Sequence, residues 1–324
     1  MKSKIRRIAL IGVGSIGKRH LESLIKLKHK SDILLIDRNL ESLKFCKNTN
    51  KNISTHNFFY STHLKDLPKN IDLAIISTNS DVRREVTEQL INYTQVKYII
   101  FEKIVFQSIK DFQKIIKSLE RKKIKSWVNC PRRISAIYKK IKKQVNNKTI
   151  KINVEGNDWG MASNSVHYLD LLLFLTGENK FTLIGSNLDR KIYKSKRKSF
   201  LEFGGKFMIK TLKGSTIKIQ DTMRGKNWPK ILIETQNKKI DINQQNGIIK
   251  LFNKSTMSLI KQKKFNLPLQ TDLTHKCVNQ IINHGESELP SIRDSYLIHR
   301  LLIKLFNKHL LYVKKKNFLR CPIT

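Results

Sequence analysis

Hydrophobic and polar positions alternate along the first part of the chain in two registers. Ile5–Ile11, with its apolar run Ile8–Ile11, predicts a strand, and the amphipathic stretch Lys18–Lys28 after it predicts a helix. The pattern repeats: Ile33–Ile36 strand, Asn39–Asn48 helix, Asn57–Tyr60 strand, Leu64–Leu67 helical turn, Leu73–Ser77 strand, Asp81–Asn92 helix. Lys97–Glu102 is a further strand, Ile109–Lys122 a helix, and Trp127–Val128 the centre of another strand. Continuous apolar strands separated by helices imply a parallel sheet covered on both faces, which takes its ligands beyond the carboxyl ends of its strands.

After Trp127 the texture changes. A helix is expected from near Asn164 through Leu169–Leu175. Then come Phe200–Leu212, Ser215–Gln220, Lys230–Thr235, Lys238–Asn243, Gly247–Phe252 and Met257–Lys261, several alternating polar with apolar and joined by short turns. That is the pattern of an antiparallel meander. Helical blocks at Leu269–Asn283 and Ser291–Lys308 close the chain. At 324 residues two domains are expected, 1–126 and 127–324, with the last helix packing back on the first.

The first strand runs straight into Gly12-Val13-Gly14-Ser15-Ile16-Gly17. Gly12 suits the tight turn, Gly14 a backbone approach to a pyrophosphate, and Gly17 close packing of the helix. The helix N-terminus presents free N–H groups to phosphates. Asp37 ends the second strand 20 residues after Gly17, where an acid grips the adenosine ribose. It favours NAD, while Arg38 beside it leaves NADP open. Thr78, Asn79 and Glu102-Lys103 fall at strand ends on the same edge, where Thr78, Asn79 and Glu102 are expected to contact the cofactor.

Composition changes this picture little. Lys and Arg total 64 against 25 Asp and Glu, a net charge of +39. The lysines are spread along nearly every segment without aromatic interleaving, so solvated faces are expected, not a specific nucleic-acid site. The charge draws anionic ligands towards the protein. Cys46, Cys130, Cys277 and Cys321 lack C-x-x-C pairing, which fits reduced thiols in the cytoplasm. Ile8–Ile11 is too short for a signal sequence, and Leu169–Leu175 falls far below the ~20 residues of a membrane span.

Candidate chemistry lies at three places. Lys103 is placed to polarise or deprotonate a substrate hydroxyl beside a nicotinamide, or is one surface lysine among many. Arg132 and Arg133 suit a substrate carboxylate or phosphate, or are two solvated arginines. In Trp159–Asp170, Ser163, His167 and Asp170 share one helix face, and His167 either relays a proton or is structural. No metal-ligand spacing surrounds it, so no metal is expected.

Together these segments resemble the glucose–fructose oxidoreductase/inositol dehydrogenase (Gfo/Idh/MocA) family across essentially the whole chain. The matching residues are Gly12–His20, Ala74–Asn79, Phe101-Glu102-Lys103 and His167–Asp170. The resemblance implies an α/β protein: an N-terminal Rossmann domain with a doubly wound parallel sheet, then a C-terminal α/β domain whose mostly antiparallel open sheet forms homo-dimer or homo-tetramer contacts. It implies NAD(P)-linked hydride transfer at a carbon of a sugar, sugar acid or nucleotide sugar. Lys103 would then assist at the hydroxyl, and His167 would serve proton transfer or substrate binding. Trp159 and Asn164, in a run resembling a branch associated with bacterial surface-sugar synthesis, would contact the sugar along with Arg132, Arg133 and Asp170. Two positions depart from the family. Ile104 stands in place of a proline, and Ser163 in place of an aspartate, which raises the alternative of a non-catalytic sensor or scaffold.

Overall fold

A computed structural model describes residues 5–146 and 148–324, so the first four residues of the expected first domain lie outside the described part. The chain runs through β1 (Arg6–Ile11), α1 (Ser15–Leu24), β2 (Ser31–Ile36), α2 (Leu40–Thr49), β3 (Asn57–Ser61), β4 (Asn70–Ile76), α3 (Arg83–Tyr93), β5 (Gln95–Phe101), α4 (Ile109–Arg121) and β6 (Lys125–Val128). It continues through α5 (Ala136–Val145), β7 (Lys151–Asn157), α6 (Met161–Thr176), β8 (Phe181–Lys194), β9 (Leu201–Thr211), β10 (Thr216–Asp221) and β11 (Asn227–Glu234). The last elements are β12 (Lys238–Asn243), β13 (Ile248–Asn253), β14 (Leu259–Lys264), α7 (Thr274–His284) and α8 (Ile292–Lys314).

Two compact units result, Met1–Asn129 with Pro268–Arg293, and Cys130–Leu267 with Asp294–Thr324. The division is discontinuous and differs from the single expected boundary at 126/127. It is the segment carrying α7 that returns to the first unit, while α8 from Asp294 onward belongs to the second. In the first unit Val128 N–H donates to the Pro290 carbonyl at 3.0 Å and Trp127 bridges Ser291, so the returning segment closes the β6 edge.

The first unit is a parallel six-stranded sheet in the order β3-β2-β1-β4-β5-β6. Both faces are covered, and Ile8, Leu10, Ile33, Leu35, Leu73, Ile75, Ile99 and Phe101 are buried. The order reverses at β1, whose neighbours β2 and β4 lead away on opposite sides. Their carboxyl ends part there and leave the crevice in which such sheets bind ligands. Helix starts follow local chemistry. The Asn39 side chain accepts the N–H groups of Glu41 and Ser42, and Ser108 accepts that of Asp111.

The second unit is an eight-stranded sheet in the order β14-β13-β12-β11-β7-β10-β9-β8. It is antiparallel except where β7 pairs with β10 in parallel, so the expected meander is interrupted by a strand inserted at its centre. α6 packs on β9 and β10, and Phe306 of α8 stacks on Phe203 at 4.5 Å between ring centroids.

Candidate active site

The glycine turn is built by sterics. Gly12 has φ +91, and a Cβ there would lie 2.7 Å from the Thr78 nitrogen. A Cβ on Gly17 would lie 2.0 Å from the Gly12 carbonyl oxygen. The close approach made by Gly17 is therefore to the turn itself, tightening α1 onto it. At Gly14 a Cβ would meet nothing within 4 Å, so that backbone faces open space. Gly14 is the N-cap of α1 and provides no side-chain cap, which leaves the first-turn N–H groups of Ser15, Ile16 and Gly17 for an anion.

Asp37 is half-buried beside the turn. Its Oδ2 accepts Val13 N–H at 2.7 Å and its Oδ1 accepts Asn39 N–H at 2.9 Å, while Arg38 is exposed. A cleft of about 370 Å³ runs past these groups, lined by Gly12, Gly14, Asp37, Arg38, Thr78 and Asn79. That is within the roughly 300–1,000 Å³ of small-molecule sites. Thr62, His63 and Leu64 complete a wall that the sequence did not single out. Thr78 Oγ1 is buried there with no hydrogen-bond partner among the described residues. An elongated anionic dinucleotide fits these donors and open backbone.

Beyond β5, Glu102 turns inward. Asn129 Nδ2 donates to Glu102 Oε1 and, at 2.8 Å, to Gln270 Oε1. Gln270 Nε2 donates to Thr274 Oγ1 at 2.8 Å, and His20 bridges Thr274 Oγ1 at 2.8 Å and Glu102 Oε1 at 2.9 Å. Five side chains thus close a buried ring, and the carboxyl expected to touch cofactor is committed to it through Oε1. Burial pushes the Glu102 carboxyl up, but the hydrogen bond and charge of His20, the Asn129 bond and the Lys103 charge outweigh it and hold it low. Such a group stabilises the fold above the ordinary carboxylate range, and that contribution is lost as pH falls through its folded value. Glu102→Gln is therefore expected to lose less stability than the wild type between about pH 6 and pH 3 in urea unfolding. Equal losses in the two proteins would contradict it. Lys103 follows, half-buried, and the Lys103–Ile104 peptide is cis.

In the second unit, Gly160 at φ +79 precedes α6, which begins three residues before the expected start. Glu202 of β9 is the reason: its Oε2 accepts Ala162 N–H at 2.8 Å and its Oε1 accepts the Ser163 hydroxyl at 2.5 Å. Most of α6 is buried, and Ser163, Asn164 and His167 form a half-buried polar strip along it. Asn164 Nδ2 donates to the Trp159 carbonyl at 2.9 Å.

The other expected substrate residues are engaged within the unit. Arg133 and Asp170 pair with each other. Nε lies 2.9 Å from both carboxylate oxygens and Nη2 lies 2.7 Å from Oδ1, and Asp170 is fully buried. Asp170 lies on α6 with Ser163 and His167, and its carboxylate is taken up by Arg133, the cation that a buried carboxylate needs. Arg132 lies over the Tyr168 ring at 4.3 Å. Burial pushes the Tyr168 phenol up to about 12, with Arg132 opposing. The Trp159 indole N–H donates to the Gln220 carbonyl at 3.0 Å, and its ring meets Tyr168 edge-on. Among the described residues no three His, Cys, Asp or Glu side chains gather as for a metal, and no helix is long and apolar enough to cross a membrane.

Residues 6–130 match the family described as "Oxidoreductase family, NAD-binding Rossmann fold" (GFO_IDH_MocA). No curated protein matches the sequence. Solved structures match nearly end to end. UDP-N-acetylglucosamine 3-dehydrogenase GnnA from Acidithiobacillus ferrooxidans is 12% identical with a TM-score of 0.72, covering 93% of this chain and 96% of that one. An oxidoreductase from Agrobacterium radiobacter, in complex with NAD+, L-tartaric acid and magnesium, is 15% identical with a TM-score of 0.70, covering 92% and 94%. The transcriptional regulator Gal80p from Kluyveromyces lactis is 15% identical with a TM-score of 0.69, covering 99% and 95%. At these identities the likeness is one of fold.

Proposed function

We propose that this chain, whose residues 6–130 belong to the Gfo/Idh/MocA oxidoreductase family with its NAD-binding Rossmann fold, is an NAD-dependent oxidoreductase acting on a CH–OH carbon of a sugar or nucleotide sugar. The observation that carries it is the open Gly14 backbone at the uncapped start of α1, set in one cleft with Asp37. Ser15–Gly17 N–H groups would bind the pyrophosphate, and Asp37 would accept the ribose hydroxyls while repelling a 2′-phosphate. Thr78 Oγ1 and Asn79 would hydrogen-bond further along the dinucleotide. When bound, the dinucleotide supplies the hydride acceptor or donor. Lys103 would hold and move the proton of the substrate hydroxyl, and His167 with Asn164 would orient the sugar. The buried cysteines and basic surface suit a cytoplasmic protein binding anionic sugars, and the exposed Trp228, Leu259 and Ile260 suit a homo-oligomer.

The test is a fluorescence titration with NADH and NADPH, then NAD+ turnover on UDP-N-acetylglucosamine, related nucleotide sugars and sugar acids, read at the nicotinamide absorbance. NADH is expected to bind at least about tenfold tighter than NADPH, and Asp37→Asn to narrow the gap. Tight dinucleotide binding without turnover on any sugar would favour the sensor reading, whose fold-level counterpart is Gal80p.

A further inference from the structure

Arg83 opens α3 within the run Asp81-Val82-Arg83-Arg84-Glu85, where the sequence reads as the polar start of a solvated helix. Its neighbour Arg84 behaves that way, pairing with Glu88 and Asp111 near the surface. Arg83 does not: it is only 2% exposed. Its Nη1 donates to the main-chain carbonyls of Glu102 at 2.6 Å, Val105 at 3.0 Å and Ile104, and its Nη2 donates to the carbonyl of Thr78. These carbonyls belong to two loops, the one leaving β4 and the one leaving β5.

A guanidinium presents its donors in a rigid planar fork. Carbonyls gathered on one fork are therefore fixed relative to each other, which a flexible ammonium would not achieve. Lys103 lies inside the clamped stretch, with the carbonyls before and after it held. Thr78, on the other loop, carries the buried hydroxyl that has no partner among the described residues. β5 lies on the far side of β4 from β1, whereas Asp37 directly follows β2 on the opposite flank of β1. A dinucleotide gripped at Asp37 and the glycine turn thus reaches the β5 loop only with its nicotinamide end.

We infer that Arg83 is a positioning residue: it locks the Thr78 and Lys103 loops into one arrangement that receives the nicotinamide end of the dinucleotide. This rests on the dinucleotide reading above. ADP-ribose, which lacks the nicotinamide, separates the two. In full-length Arg83→Lys and Arg83→Gln, NADH is expected to bind about tenfold or more weaker, with ADP-ribose within about threefold of the wild type. A purely structural arginine would weaken both ligands alike or neither, and either result overturns the proposal. Thermal melts verify that the variants are folded.

Should neither variant fold, hydrogen exchange of the wild type decides. NADH, unlike ADP-ribose, is expected to slow exchange across 102–105, and equal protection by the two ligands overturns the proposal. A wild type that binds neither ligand removes the dinucleotide reading, and the positioning role with it.

Discussion

Replacing Lys103 by alanine is expected to lower kcat about 10²- to 10⁴-fold, the usual worth of a positioned acid or base, with NADH affinity changed by no more than a few-fold. The reason lies in how the residue is held. Lys103 directly follows a carboxylate kept ionised by His20 and Asn129, and it sits in a loop whose carbonyls are gathered on the Arg83 guanidinium. Its main chain is therefore fixed, while the dinucleotide grip proposed above comes from the glycine turn and Asp37 on other strands. Truncating the side chain removes the amine and leaves that grip in place. Single-turnover hydride transfer alongside NADH titration separates the two effects. An unchanged rate would take Lys103 out of the chemistry, and a parallel loss of NADH binding would make it a cofactor contact instead.

What could be read from the sequence was what is local. Gly12, Gly14, Gly17 and Asp37 form one strand–turn–helix–strand unit, so their spacing nearly specifies their geometry. The central parallel strands β1, β2, β4 and β5 announce themselves as continuous apolar runs because both of their faces are buried. β7 gave no such signal. Only alternate residues such as Ile152 and Val154 are buried in it, and its polar positions resemble a loop. β8 is a largely exposed edge strand with nothing periodic to detect. α5 reads as a run of lysines, although Tyr138, Ile141 and Val145 form a buried stripe beneath them.

Partners supplied from far along the chain were equally invisible. Gln270 and Thr274 complete the Glu102 ring, Glu202 caps α6, and Arg83 is buried by carbonyls that have no sequence signature. The same limit explains Arg133 and Asp170. Each has the chemistry of a ligand group, and only tertiary packing decides that each is the other's partner.

That pairing sets the largest expected stability effect. Asp170→Ala should cost about 3–5 kcal/mol, because it strands a largely buried guanidinium without its counter-charge. Arg133→Ala should cost about as much near neutral pH but behave differently in acid. Burial already pushes the Asp170 carboxyl up, and Arg133 offsets part of that rise. Without the arginine the folded-state carboxyl rises further above its unfolded value, so the folded protein binds the proton more tightly than the unfolded chain does. Stability from that proton is present below the unfolded value and is lost as pH rises through the folded one.

Acidification should thus recover part of the loss in Arg133→Ala and none in Asp170→Ala, which has no carboxyl left to protonate. Urea midpoints of the two variants relative to wild type at about pH 7 and about pH 4.5 make the comparison. The double replacement Arg133→Met with Asp170→Leu should regain most of the stability, since removing both charges leaves neither one buried alone. If the double variant were as unstable as either single one, shape rather than charge would be what the pair contributes.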